Sequence, residues 1–216
     1  MSTKIKIMVL AFLLYSYTGG NAQRSMDSLF IEVPSHILPL LELHPRKDLV
    51  DLYNYQLKAT TENIFSSPTT MLKKDSSRVQ LQLTDVSQWE MKVLEKKNDT
   101  IFSIIHTIGT LGGGSHLSFY DRSWQKISKI KPPTPQLQKF FKHPPLLSQE
   151  SDSIQQLLPI VNIEMNWSNH SQKPTILTMQ IKTSHLEESE QKYLEKFLRP
   201  ILYQWTKEGE LIELAP

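Results

Sequence analysis

The chain has 216 residues, 24 basic and 22 acidic side chains, a formal net charge of +2 and no cysteine. So even a charge balance gives no electrostatic case for nucleic acid or an anionic membrane surface as partner. Without cysteine there is no disulfide framework, thiol nucleophile, thiolate metal site or lipid anchor on an N-terminal cysteine.

The first segment reads as a targeting signal. Lys4 and Lys6 form a charged start, residues 5–17 are apolar apart from Lys6 and Ser16, and Gly20-Asn21-Ala22 is a small-x-small site. This is the pattern of a secretory signal peptide over residues 1–22, with cleavage between Ala22 and Gln23. The apolar run is shorter than the ~20 residues a bilayer requires, and no second one follows, so no transmembrane segment is expected after cleavage. Lys4 and Lys6 leave with the signal and no acid does, so the mature chain is formally neutral. Residues 23–216 are expected to form a single α+β domain, with possible halves at 23–131 and 132–216, in the periplasm or outside the cell. A cysteine-free exported domain must stand on its packing, which suits a bacterial periplasm at least as well as a eukaryotic secretory route.

Residues 25–58 predict helices. Ser25 can cap a turn carrying Met26, Leu29, Phe30 and Val33, and Pro34 and Pro39 break the chain beyond it into short pieces. Pro45 suits the first position of a helix bearing Leu49, Leu52, Tyr53 and Leu57. Pro68 among Ser and Thr residues predicts a loop. Residues 78–127 then predict an antiparallel meander with strands at 78–84, 89–95, 99–110, 115–121 and 123–127. Val79, Leu81 and Leu83 share one face and Gln80, Gln82 and Thr84 the other; Trp89, Met91 and Val93 alternate in the same way with Glu90 and Lys92. The stretch 101–108 is apolar on both faces and reads as the central strand. Lys97-Asn98-Asp99, the glycines at 112–114 and Asp121-Arg122-Ser123 are turn signals.

Residues 128–149 are rich in proline and lysine and predict a crossing segment around a short helix at 136–141, anchored by Phe140 and Phe141. Strands resume with Val161, Ile163, Met165 and Trp167, then Leu177, Met179 and Ile181. Ser184-His185-Leu186-Glu187 has the form of a capping box opening a helix with Leu186, Tyr193, Leu194, Phe197 and Leu198 on one face, stopped by Pro200. A last hairpin carries Ile201, Tyr203 and Trp205, turns at Lys207-Glu208-Gly209 and returns at Leu211. Tyr120…Trp124 and Tyr203…Trp205 invite comparison as a degenerate internal repeat. The predicted fold class is α+β: a mainly antiparallel sheet with helices at the N-terminus, in the middle and near the C-terminus.

Candidate chemistry is sparse. The three glycines before Ser115-His116, with Asp121 nearby, invite a nucleophile, but there is no Gly-x-Ser-x-Gly, and adjacent Ser115 and His116 on a strand face opposite ways. A turn between two strands accounts for the same residues, and no Gly-Lys-Ser/Thr follows to make a phosphate loop. The histidines at 36, 44, 106, 116, 143, 170 and 185 form no metal-binding spacing, and His106, between Ile104 and Ile108, reads as a satisfied core histidine. Asp48 and Asp51 share a helix face, where a first-turn dipole role with Arg46 or Lys47 as partner is favoured over acid–base work. The basic run from 122 to 142 lacks the interleaved aromatics of a nucleic-acid binder and reads as a solvated linker. Asp27-Ser28-Leu29, Asp99-Thr100-Ile101 and Asp152-Ser153-Ile154 match a short Asp-Ser/Thr-aliphatic acceptor pattern for bacterial O-glycosylation at Ser28, Thr100 and Ser153. No catalytic, cofactor or metal residue is assigned.

Several residue groups recur together in one order: Arg46-Lys47-Asp48-Leu49-Val50-Asp51, Trp89-Glu90-Met91-Lys92, Asn98-Asp99-Thr100, Ser115 leading to Phe119-Tyr120, then Trp124 and late Tyr203-x-Trp205. In these the chain resembles a domain-of-unknown-function family of small exported Bacteroidales proteins. The glycines at 112–114 depart from that pattern, where a Pro- or Asp-bearing turn is expected. The resemblance implies a compartment and a type of host and carries no activity. The expected function is a non-enzymatic binding or interaction module with a protein, glycan or lipid partner in the cell envelope. A carrier of a hydrophobic ligand is the second reading and a hydrolase the third.

Overall fold

The computed structural model describes residues 24–97, 99–110, 113–142, 162–168, 174–183 and 186–215. The expected signal segment lies outside them, as do Asn98, Gly112, Ser153, Val161, Ser184 and His185.

Alternation along the strands builds two antiparallel sheets. Strands β1 (Thr60–Glu62), β2 (Pro68–Lys74), β3 (Arg78–Thr84), β4 (Ser87–Lys96), β5 (Asp99–Ile108) and β6 (Gly114–Tyr120) form a six-stranded meander in chain order. Strands β7 (Asn162–Trp167), β8 (Ile176–Lys182), β9 (Ile201–Trp205) and β10 (Leu211–Glu213) form the second sheet, ordered β10-β9-β8-β7. Helices α1 (Met26–Ile31) and α2 (Leu43–Asn54) precede the meander, α3 (Glu188–Glu195) joins β8 to β9, and a 3₁₀ turn occupies Leu137–Phe140. The fold is α+β with mainly antiparallel sheet, as the sequence predicts; the middle helix is the 3₁₀ turn.

The two faces of the large sheet are buried against different layers. On one, Val79, Leu81, Trp89, Met91, Phe102 and Ile104 pack with Phe30, Leu38 and Leu49 from the helical segment. On the other, Leu94, Ile101, Ile105, Leu117 and Phe119 pack with Trp167, Leu177, Met179, Tyr203 and Trp205 of the small sheet. Each fully buried Leu or Phe contributes roughly 1.5–3 kcal/mol. Strand β5 lies between β4 and β6 with side chains in both clusters, so it is an interior strand covered on both faces, as its apolar residues predict.

Several local expectations are corrected. The loop predicted around Pro68 is two strands: Pro68 begins β2, where its missing N–H interrupts little of the ladder, and buried Thr69 donates to the Leu83 carbonyl at 2.9 Å. The strand predicted at 123–127 is reduced to one isolated pairing, Tyr120 with Lys126. There the Asp121 carboxylate accepts from the Ser123 and Gln125 N–H groups and Trp124, at φ +60°, folds back onto Phe102. Helix α2 begins at Leu43, so Pro45 is its third residue, still among the N–H positions that no intrahelical acceptor serves. Leu57 lies past its end, exposed. The capping box falls three residues later than predicted: α3 is capped by Glu187, whose N–H donates to the Glu190 carboxylate at 3.1 Å.

Arg46 departs most from its predicted role. Asp48 and Asp51 are exposed, while Arg46 is 3% exposed and turned inward. Its guanidinium donates to the carbonyls of Leu41 (2.7 Å), Leu38 (3.2 Å), Ile31 (3.4 Å) and Val33. These belong to the end of α1 and the proline-broken connection, where helical pairing has stopped, and a planar fork can serve several at once. Arg46→Met is expected to cost about 3 kcal/mol or more, because buried carbonyls lose their donor. Arg46→Lys should recover little. Urea midpoints at constant m-value check both.

Candidate binding cleft

Strand β7 is the edge of the small sheet and lies against the second face of the large one. An edge strand has backbone donors with no strand to receive them. Here side chains of the large sheet do so. The Met165 N–H donates to Ser115 Oγ at 2.9 Å, and the Trp167 N–H makes a long contact of 3.4 Å to Glu90 Oε1. The Trp167 indole N–H donates to Ser103 Oγ at 2.8 Å, and Lys92 Nζ donates to the Ser168 carbonyl at 3.0 Å. Trp167 is 1% exposed and meets Trp205 edge-on.

Glu90 and Lys92 are themselves buried, at 4% and 3% exposed, and so is Arg78. Arg78 holds Glu90 with two prongs, Nε to Oε1 at 3.0 Å and Nη2 to Oε2 at 3.0 Å. Burial pushes the Glu90 carboxyl above the usual carboxylate range, against the opposing pull of Arg78. Burial likewise pushes Lys92 below the ordinary lysine value. The pair is thus a desolvated joint under the rim of the small sheet. The face of Gln80, Glu90 and Lys92, polar in the alternation of the sequence, is in part interior. The missed signal is position: Glu90 and Lys92 sit on the strand beside one that is apolar on both faces, so their own second face is also partly covered.

Where β7 ends its cover, the sheets diverge around a cleft of about 670 Å³. Gln80, Gln88 and Thr107 of the large sheet face Asn166, Thr178 and Leu202 of the small sheet's outer side, with the Arg78–Glu90 pair between. Glu164, also lining it, pairs with Lys182 at 3.3 Å.

The residues singled out from sequence do not converge. Ser115 shares a hydrogen bond of 2.6 Å with Thr107 beneath β7, His116 is exposed on the opposite face beside Ser118, and Asp121 is occupied by its turn. The glycines serve geometry: a Cβ on Gly113 would fall 2.2 Å from the Ile108 carbonyl oxygen, and Gly114, at φ +126°, lets the Ile163 carbonyl approach. His106 is half-buried across from Trp89, and its Nε2 finds no hydrogen-bond partner among the described residues, so it is not the satisfied core histidine expected. Burial, and then His116, push its pKa down. Among the described residues, no group of three or more His, Asp or Glu could hold a metal. In the basic run, Lys139 pairs with Glu213 at 2.8 Å and Arg122 with Asp99 at 3.2 Å, while Phe140 and Phe141 are buried as anchors. Ser28 Oγ lies 3.0 Å from Ser25 Oγ, and Thr100 Oγ1 accepts from Arg122 at 3.1 Å.

Residues 19–209 match the family described as Protein of unknown function (DUF3256). The chain belongs to that family. This DUF3256 member is also similar in structure to a domain of an uncharacterized protein from Porphyromonas gingivalis W83, with a TM-score of 0.66 and 18% identity over 88% of this chain and 98% of that one. At that identity the likeness shows a shared fold. No curated protein matches. The resemblance to a domain-of-unknown-function family read from Arg46-Lys47-Asp48 through Tyr203-x-Trp205 agrees with that match, and the structural neighbour is a Bacteroidales protein. Among the described residues no helix is long and apolar enough to cross a membrane.

The joint predicts a clear non-additivity. Glu90→Leu leaves the Arg78 charge buried without its carboxylate and is expected to cost about 3–5 kcal/mol. Arg78→Leu combined with Glu90→Leu should be much less destabilising than the two single losses added together. A double-mutant cycle in urea measures this.

Proposed function

We propose that this protein is an exported, non-enzymatic binding module of the cell envelope, and that its ligand occupies the cleft between the sheets. The observation that carries this reading is how the cleft's charges are used. Arg78 and Glu90 hold each other, Glu164 holds Lys182, and the amides and hydroxyls of Gln88, Asn166 and Thr178 line the opening. A hydrolase needs a nucleophile and a base within reach of one another, whereas Ser115 and His116 face opposite sides of the sheet. A carrier of hydrophobic ligands needs an enclosed apolar cavity, whereas this cleft is open and has an ion pair at its base. Export is supported by the charged, apolar and small-residue pattern of residues 1–22, and by a cysteine-free fold that relies on packing.

Affinity purification from the native envelope, with mass spectrometry of co-purifying protein, glycan and lipid, tests the reading alongside Thr178→Trp, which fills the cleft from its outer wall. A component recovered with the wild type and lost with the variant is expected. Recovery of nothing reproducible, or equal recovery with Thr178→Trp, contradicts it.

A further inference from the structure

One row of side chains crosses the entire large sheet. The register places Thr60 opposite Thr70, Thr70 opposite Gln82, Gln82 opposite Gln88, Gln88 opposite Thr107 and Thr107 opposite Ser115. All are uncharged, and each carries a hydroxyl or an amide. Neighbouring strands lie ~4.8 Å apart, so the row spans roughly 24 Å. It runs along the face that the small sheet covers only in part: Ser115 lies under β7, while Gln88 and Thr107 line the cleft.

The row is ordered internally. Thr60 and Thr70 hydroxyls are 3.0 Å apart, Gln88 Nε2 donates to Gln82 Oε1 at 2.9 Å, and Thr107 and Ser115 hydroxyls are 2.6 Å apart. Gln82 in turn donates to the Thr84 carbonyl at 2.6 Å. These bonds fix which way each amide points and leave Gln88 one N–H and its Oε1 for a ligand, a site oriented before binding. Opposite stands a wall in which Asn166 and Thr178 alternate with apolar Ile176 and Leu202. A sugar ring matches both walls, with hydroxyls at its edge and C–H groups on its faces.

We propose that the cleft binds a neutral, polyhydroxylated chain, a glycan, held at Gln88 and Thr107 in the cleft and continuing along the row over Gln82 and Thr70 outside it. This rests on the cleft being the ligand site. Charge argues for a neutral ligand: Arg78, Glu90, Glu164 and Lys182 are already paired, which leaves exposed Lys73 as the lining cation outside those ion pairs among the described residues. An anionic polymer would require more than one such cation, whereas hydroxyls require donors and acceptors together, which amides and hydroxyls supply.

The test is titration of the mature protein with neutral hexasaccharides (α-glucan, β-glucan and chitin-type), with oligogalacturonate as the acidic comparison. Binding is followed by calorimetry and by the side-chain amide signals of Gln82 and Gln88 in nitrogen–proton correlation spectra. At least one neutral hexasaccharide is expected to bind and to shift both amide pairs. Gln88→Leu with Thr107→Val should weaken it about tenfold or more, with unchanged circular dichroism and melting temperature; Gln88→Ala alone is the fallback if the double variant misfolds. Binding of oligogalacturonate alone, no binding of any neutral hexasaccharide at millimolar concentration, or unchanged affinity in the folded variant overturns the proposal. A protein or lipid that co-purifies in a Thr178-dependent way, with no glycan bound, overturns the glycan assignment and leaves the cleft as the site.

Discussion

The architecture depends on the seat of Trp167. Two sheets that meet along an edge strand face a specific difficulty, because the edge presents backbone donors where a packed interior offers only side chains. Here the large sheet answers with polar groups set among apolar ones. Ser103 takes the indole N–H, Glu90 stands at the backbone N–H, Ser115 takes the Met165 N–H, and Lys92 donates to the Ser168 carbonyl. Around these polar contacts Phe119 stacks on Trp205, and Trp205 donates its own indole N–H to the Glu95 carbonyl at 2.7 Å. The small sheet is therefore located by a few directional contacts and held by the apolar surface they enclose.

That arrangement also explains the cleft. A small sheet lying flat would cover the Gln80–Gln88 region. Docked through the edge of β7, it turns one face to the aromatic cluster and leaves the other diverging from β3 and β4. The ion pair at the base suits this position. Buried charges seldom stabilise more than well-packed apolar groups would, but they penalise any arrangement that separates them. Arg78 and Glu90 both belong to the large sheet, so Arg78 fixes the Glu90 carboxylate, and the Glu90 contact to the Trp167 N–H with the Lys92 bond to the Ser168 carbonyl ties β7 to one placement.

Much of the fold was legible in the sequence because its strands alternate cleanly: Val79-x-Leu81-x-Leu83, Trp89-x-Met91-x-Val93 and Ile163-x-Met165-x-Trp167 each state which face is covered. The interior place of β5 followed from apolar residues on both its faces. Strands β1 and β2 were hidden because Pro68 and a cluster of Ser and Thr residues are turn signals in local reading, and only the pairing of β2 with β3, and of β1 with β2, makes them strands. Arg46 was misread because its acceptors are carbonyls of Ile31, Val33 and Leu38, a set that exists only once the proline-broken segment has folded back. The cleft was invisible because Gln88 and Thr107 belong to separate strands, and only the register sets them side by side. The family could be read from motif order, since Trp89-Glu90-Met91-Lys92 contains the joint itself.

The large sheet's buried polar side chains close the open edge of β7. Native-state amide hydrogen exchange on the unmodified protein tests this closure most directly. If the edge is closed, the Met165 and Trp167 amides are as protected as those of Ile104 and Ile105 in β5, and exchange only when the whole molecule unfolds. Exchange of those two amides at the rate of a solvent-facing strand edge, while β5 stays protected, would contradict it.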